Sequence, residues 1–555
     1  MRGMGIHVRL GWLGAICGGL ALLANSASVC FARDAAVVFA EGPGFTNTLE
    51  KASDGCWSGG GVEVCMSTDG VVKVSSPAKA LERIRVGFPR TFASGTKFFK
   101  DAWERTGGDS GWRAEDDFDF SPWYTMAYGP GGEFSGFGVQ VRPNSLVAWK
   151  RTADGLEATL DVSSGGRPVR LGGRTFVAAK FVFMEGRRVT SAFEGARAFA
   201  AMMCPTPRLA KAPVYGYNDW YCAYGSNTAT NFLADAAFVC SLAEGLSNRP
   251  YVVMDDGWQK NSPPVVKAYS ANGAGGSGYG PWDESGERFG MAMAPFAAAV
   301  RRLGARPGLW YRPYRAWPGA DASLRSSTRK GFFDPTIPEV RRMVFEDIRR
   351  FREWGFELVK IDYLTFDLCG LYGTQMGDRV FHGDCGWRDD TRTSAEVVNE
   401  LHDVMREAAG DGVVIIGCNA LNHLVAGLFE LQRTGGDTSG WKWEQTRQKG
   451  VNTLAARGFQ DRIFFAVDAD CAGLAREGAV DWSKNRQWID LLGRSGTPFF
   501  VSWRRSLAND EVRAAIRAAF RKAASPRAVA EPLDWLERAV PVRWRLADGE
   551  SEYDW

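Results

Sequence analysis

Histidine is nearly missing from this 555-residue chain: there are 4, and no HxH or CxxC pair goes with them. Imidazole and thiolate supply most catalytic zinc ligands, so no metal site is expected, and nothing else in the sequence asks for a cofactor. Long runs of one charge are absent as well. With 67 basic against 64 acidic residues and a net charge of +3, there is no electrostatic footprint for nucleic acid. No GxSxG elbow occurs, which sets an esterase aside. Gly273, Gly275 and Gly278 reproduce GxGxxG, but no strand leads into them and no helix opens from them, so they make no dinucleotide site. His382, His402 and His423 have no catalytic spacing; His423 reads as a hydrogen-bonded packing residue.

Only one long apolar run exists, over residues 10–23. Arg2, His7 and Arg9 precede it and the small residues Ala27 and Ala32 follow, which is the layout of an export signal over residues 1–32. The run is short for a membrane span. The expectation is a secreted or periplasmic protein with no membrane association after cleavage. Cys17 and Cys30 fall in that leader and nine cysteines remain, an odd number that leaves at least one free thiol. Cys56 with Cys65, and Cys369 with Cys385, are the local candidate pairs. Tryptophan is abundant, at 21. That suits stacking on sugars and equally suits ordinary core filling.

Two rhythms divide the rest. Residues 33–205 read as antiparallel strands joined by Asp-Gly turns, for example 62–75 around Asp69-Gly70 and 146–162 around Asp154-Gly155, with another strand at 176–184. A β-sandwich is expected there. Pro205, Pro207 and Pro213 punctuate a linker. Residues 206–505 alternate strand and helix eight times, with strands at 214–220, 251–255, 307–311, 357–362, 413–418, 429–433, 463–467 and 498–503. Eight such units imply a (β/α)8 TIM barrel. The clearest helix starts at Thr336, with Glu339 completing a capping box, Pro338 in the first turn and Gly355 as the stop. Residues 506–555 read as a helix, 509–523, and a short C-terminal tail.

A barrel presents chemistry at the C-terminal ends of its strands. Leu358-Val359-Lys360-Ile361-Asp362 and Leu431-Gln432-Arg433-Thr434-Gly435-Gly436-Asp437 each deliver a carboxylate there. Two carboxylates across a sugar are the minimum for cleaving a glycosidic bond, one ionised and one carrying a proton. Lys360 shares a strand face with Asp362 and favours its ionised form, which suits a nucleophile; Asp437 suits the acid/base. Capping of a helix or strand end is the structural alternative for each. Asp255-Asp256-Gly257-Trp258 places paired carboxylates beside an indole, able to grip two hydroxyls and the apolar face of a ring, or simply to cap a loop. Asp468 and Asp470 read as structural caps.

These segments, with Gly216-Tyr217-Asn218-Asp219-Trp220-Tyr221 and Pro307-Gly308-Leu309-Trp310, resemble the melibiase-type α-galactosidases, a retaining superfamily that includes α-N-acetylgalactosaminidases and raffinose synthases. The resemblance covers the barrel, about residues 214–503, and weakly the preceding β domain. It implies Asp362 as nucleophile, Asp437 as acid/base, Asp255 and Asp256 on the 4- and 6-hydroxyls, Lys360 before the nucleophile and Cys418 near C2. Trp220 and Trp282 match aromatic walls of the sugar pocket; Trp258 and Arg433 complete the expected substrate-binding set. Two departures stand out. Asn419-Ala420-Leu421-Asn422-His423 replaces a glycine run on the C2 side, and Arg312 stands where an acidic residue is usual. Arg312 could bind a charged sugar or pair with a nearby carboxylate, and the pairing is the favoured reading.

The expected function is removal of terminal α-linked galactose-type residues from an oligosaccharide or glycoconjugate. Action on α-N-acetylgalactosaminides, transfer instead of hydrolysis, and a non-catalytic carbohydrate-binding barrel are the alternatives. The sequence leaves oligomeric state open.

Overall fold

The computed structural model describes residues 35–108, 110–261, 278–438, 440–474 and 478–555. The expected leader, with Cys17 and Cys30, lies outside the described residues, as do Gly273 and Gly275. Among the described residues, the chain from Val37 to Arg188 forms one antiparallel ladder of 14 strands. The strands bury alternate side chains: in Val62–Met66, Val62, Val64 and Met66 are inside and Glu63 is exposed. Both expected hairpins form, Val62–Met66 with Val71–Ser76 and Leu146–Thr152 with Gly155–Asp161. The ladder folds back on itself. Phe88 packs edge-on against Phe181 and Phe183 at centroid distances of 5.3 and 5.1 Å, although five strands separate their strands in the ladder. That shared core, with Trp149, gives the sheet its sandwich-like form.

Helix Ala192–Met203, capped by the Ser191 hydroxyl, leads towards a second, parallel sheet of nine strand segments. Its strands are Tyr215–Asn218, Tyr251–Met254, Arg306–Tyr311, Leu358–Ile361, Val414–Gly417, Leu431–Arg433, Ala466–Asp468, Cys471–Leu474 and Phe499–Trp503. Seven lie within two residues of the expected positions. The seventh strand differs, because the chain breaks between Asp468 and Cys471, where Asp470 adopts φ +70°. Its first half pairs with the sixth strand and its second half with the eighth. The two ends of the ladder therefore belong to one interrupted segment. The fourth strand is buried along its whole length, as expected for a parallel strand covered on both faces.

Helices pack outside this sheet. Pro338–Trp354 buries Val340, Val344, Ile348 and Phe351, each worth about 1.5–3 kcal/mol, and ends at Gly355 with φ +93°. The expected capping box at Thr336 does not form. The Thr336 hydroxyl donates instead to Asp334 at 2.7 Å, so the helix begins without a side-chain cap. A capping box does occur at Thr393 and Glu396. Cys56 and Cys65 are disulfide-bonded, but Cys369 and Cys385 are both free thiols, which corrects that pairing. The Cys369 thiol donates to the Thr365 carbonyl at 3.0 Å. The C-terminal region is also more than a helix and tail. After helix Asp510–Ala523, strands Glu531–Pro532, Arg543–Leu546 and Gly549–Glu552 form a small antiparallel sheet over the buried Trp544.

Gly216 holds the first strand against the second. Its φ is +149°, and a Cβ there would lie 1.8 Å from the carbonyl oxygen of Tyr251, its ladder partner. Gly216→Ala is expected to lower the unfolding free energy by roughly 1–3 kcal/mol or more, since both strain and clash are introduced. Denaturant titration followed by tryptophan fluorescence checks this; an unchanged midpoint contradicts it.

Candidate active site

Parallel strands put their C-terminal ends on one rim, and a cavity of about 920 Å³ opens there. Asp255 and Asp256 leave the second strand, Arg312 the third, Asp362 the fourth, Asn419 the fifth and Asp437 the sixth, and all six line that cavity with Trp220 and Lys360. The alternative reading of Asp437 as a helix cap is not seen: the next helix begins at Trp443, with Lys442 at its cap position.

The Lys360 ammonium donates to Asp255 at 2.6 Å, and the Asn218 amide donates to the same carboxylate oxygen at 2.8 Å. Burial alone would lower the lysine pKa, but the charge of Asp255, with Asp362 behind it, holds it well above 10.5. The direct partner of Lys360 is thus Asp255, and Asp362 feels the ammonium only through space. Asp256 accepts from the Gln259 amide at 2.7 Å.

Asp362 accepts from the Tyr363 amide at 2.7 Å and from the Trp310 indole at 3.1 Å, so two donors orient its oxygens. Tyr363 has φ +61°, which turns the chain sharply after the strand. Asp437 faces the cavity with 45% of its side chain exposed, 3.3 Å from Arg433 and 3.4 Å from Arg105. Burial raises its pKa, but Arg433 and Arg105, then Lys360 and Lys449, outweigh that and hold it below 3.8. Arg433 is itself buried and bridges to Asp470 at 3.0 Å.

Arg105 comes from the N-terminal domain. The strap over residues 101–107 docks on the sixth-strand end: Thr106 donates to the Thr434 carbonyl at 2.9 Å, and Gly436 donates back to Thr106 at 3.1 Å. Asp101 and Arg457 form a fully buried ion pair at 2.7 Å, and Arg457 also donates to the carbonyls of Ala102 and Thr434. Glu104 reaches under the cavity. It accepts from the Gly373 amide at 2.7 Å, from Asn419 at 3.2 Å and from the Thr365 hydroxyl. Burial raises its pKa. Neither Glu104 nor Arg105 carried a sequence signal, because both sit in a loop of the β-rich region.

The other expected residues fall into place differently. Trp258 and Trp282 are buried behind the wall, where Trp258 donates to the Trp310 carbonyl at 3.0 Å and Trp282 packs against Trp258, Trp310 and Tyr311. The indole facing the cavity on that side is Trp310. Cys418 is buried beside Arg105 and Arg433, with its sulfur 3.8 and 3.9 Å from their guanidinium nitrogens. Burial raises its pKa, so it stays a thiol. Arg312 pairs with Asp367 in a fork at 2.6 and 2.9 Å, the favoured reading of that departure. His423 donates its Nε2–H to the Val139 carbonyl at 2.7 Å and stacks on Trp123, a packing residue whose pKa burial lowers to about 4. Among the described residues, no group of three or more His, Cys, Asp or Glu side chains could hold a metal ion, and no helix is long and apolar enough to cross a membrane.

No family model and no curated protein matches the sequence. Solved structures do. An alpha-galactosidase from Thermus thermophilus, in complex with p-nitrophenyl alpha-D-galactopyranoside, is 17% identical with a TM-score of 0.56, over 89% of this chain and 97% of that one. A variant of the alpha-galactosidase AgaA from Geobacillus stearothermophilus, in complex with 1-deoxygalactonojirimycin, is 11% identical with a TM-score of 0.53, over 88% and 72%. The galactosidase domain of the alpha-galactosidase-sucrose kinase AgaSK is 14% identical with a TM-score of 0.52, over 84% and 67%. The chain shares their fold: an N-terminal antiparallel sheet followed by a parallel barrel-type sheet.

The strap predicts its own sensitivity. Asp101→Ala leaves the Arg457 guanidinium buried without its counter-charge, which costs about 3–5 kcal/mol. Thermal unfolding should register the loss; an unaltered melting temperature contradicts the role of this ion pair.

Proposed function

We propose that this chain is a retaining glycoside hydrolase that removes terminal α-linked galactose-type residues. The observation that carries the reading is the pair Asp362 and Asp437, delivered by the fourth and sixth strands into one cavity and set in contrasting surroundings. The shared fold with alpha-galactosidases adds support.

Asp362 attacks the anomeric carbon. Its two donors, Tyr363 N–H and Trp310 Nε1–H, fix its oxygens and share the charge that the ester bond later consumes. Asp437 gives a proton to the departing glycosidic oxygen. In the second half it takes a proton from water, which attacks the same carbon and releases Asp362. Asp255 and Asp256 remain to hold ring hydroxyls, with Trp220 and Trp310 beside the ring. The resting Asp437 is a carboxylate, ready for the second half; the first half needs it protonated. Catalysis therefore favours acidic pH.

A chromogenic panel of α-galactoside, α-N-acetylgalactosaminide and α-glucoside tests the reading, with proton NMR to identify the anomer first released. Turnover of the α-galactoside with α-galactose appearing first is expected. No turnover with retained galactoside binding would favour a carbohydrate-binding protein instead. Asp362→Ala should remove about a thousandfold or more of the rate. Asp437→Ala should cost roughly 10²–10⁴-fold on poor leaving groups and far less on p-nitrophenolate, which departs without a proton.

Arg105 should be readable in the pH profile. Arg105→Gln removes a positive charge beside Asp437, so the Asp437 pKa rises. The limb of the kcat/KM profile that titrates Asp437 then moves to higher pH. A profile that superimposes on the parent contradicts the coupling.

A further inference from the structure

The cavity wall after the third strand holds more positive charge than the proposed double displacement uses. Arg312, Arg315 and Arg329 cluster around one buried carboxylate, Asp367. Arg312 occupies both Asp367 oxygens and lies over the Tyr363 ring at 3.9 Å. Asp256 adds a second negative charge near Arg312. Arg329 spends its Nη1 and Nη2 on the carbonyls of Asp367 and Phe366, at 2.6 and 2.8 Å. Arg315 has neither arrangement. It lines the cavity, half-buried, with its guanidinium 5.0 Å from the centroid of Phe332, and among the described residues it forms no ion pair. Its backbone is fixed by an antiparallel bridge to Phe332.

A guanidinium seated on an aromatic ring, facing a cavity beside two other guanidiniums, is partly stripped of water and has planar donors left over. Such a group suits an anion with oxygen pairs to offer. The position narrows the choice. The third strand lies between the second, which ends in Asp255 and Asp256, and the fourth, which ends in Asp362, and it is three strands away from the sixth, which ends in Asp437. Groups reaching it belong to the sugar side of the scissile bond, not to the departing side.

The geometry points to an anion subsite at Arg315, backed by Arg312 and Arg329, that selects galactose-type rings bearing a sulfate ester or a carboxylate. This deepens the galactoside reading of the same cavity and rests on it. A neutral galactose would leave the Arg315 donors to water; a charged ring would engage them in charge-assisted hydrogen bonds.

The test is calorimetric binding of galactose, galactose 6-sulfate and galacturonate to the full chain and to Arg315→Gln and Arg315→Lys, beside turnover of p-nitrophenyl α-galactoside. At least one anionic sugar should bind about tenfold tighter than galactose at low salt, one charge-assisted contact being worth that ratio. The preference should shrink at high salt, fall to near parity in Arg315→Gln and persist in part in Arg315→Lys. The two anions separate a sulfate site from a carboxylate site. Equal or weaker binding of both anions by the parent protein overturns the proposal, as does a preference that survives Arg315→Gln. Absent turnover with an intact anion preference would count against hydrolysis while leaving the subsite standing.

Discussion

Burying carboxylates together is possible only if each finds a counter-charge, and that requirement organises the mouth of this barrel. Desolvating one ion costs several kcal/mol, so an uncompensated cluster would neutralise itself or unfold. Asp255 has Lys360, Asp367 has Arg312, Asp470 has Arg433, and Asp437 sits between Arg433 and Arg105. Asp219 shows the alternative. Among the described residues it has no cationic partner, and burial together with the charge of Asp255 pushes its pKa up to about 8. The carboxylates proposed for chemistry are those whose neighbours keep them ionised or leave them facing the cavity.

The same requirement ties the two domains into one site. Arg105 and Glu104 reach the cavity only because the strap is clamped by the Asp101–Arg457 pair and by backbone bonds to Thr434 and Gly436. The barrel supplies the carboxylates, and the β-rich domain supplies one of the charges beside Asp437, the proposed acid/base. Glu104, holding Asn419 and Thr365, also fixes the fifth-strand end. The N-terminal sheet is therefore part of the proposed chemistry as well as of the scaffold.

Much of this was legible in the sequence. A parallel strand buried on both faces is a short apolar run, and Leu358–Ile361 carries Asp362 directly after it. Asp437 could be placed because Leu431–Arg433 ends just before the two glycines. What was not legible depends on distant partners. Arg105 meets Asp437 across 332 residues, and nothing local marks it. Trp282 was expected on the cavity wall, but it packs behind Trp310, against Trp258 and Tyr311, and Trp310 takes that place. Thr336 looked like a cap until Asp334 captured its hydroxyl. The seventh strand was misplaced because Asp470 breaks it, and the C-terminal sheet was missed because its strands are only two to four residues long.

The central claim is that a covalent bond forms between the sugar and Asp362 during turnover. A fluorinated, slow-hydrolysing α-galactoside that accumulates this ester, followed by proteolysis and mass spectrometry, reads it directly. The account predicts one added sugar on the peptide containing Asp362, with Asp437 unmodified. A label on any other residue, or steady turnover with no glycosylated peptide, would contradict it.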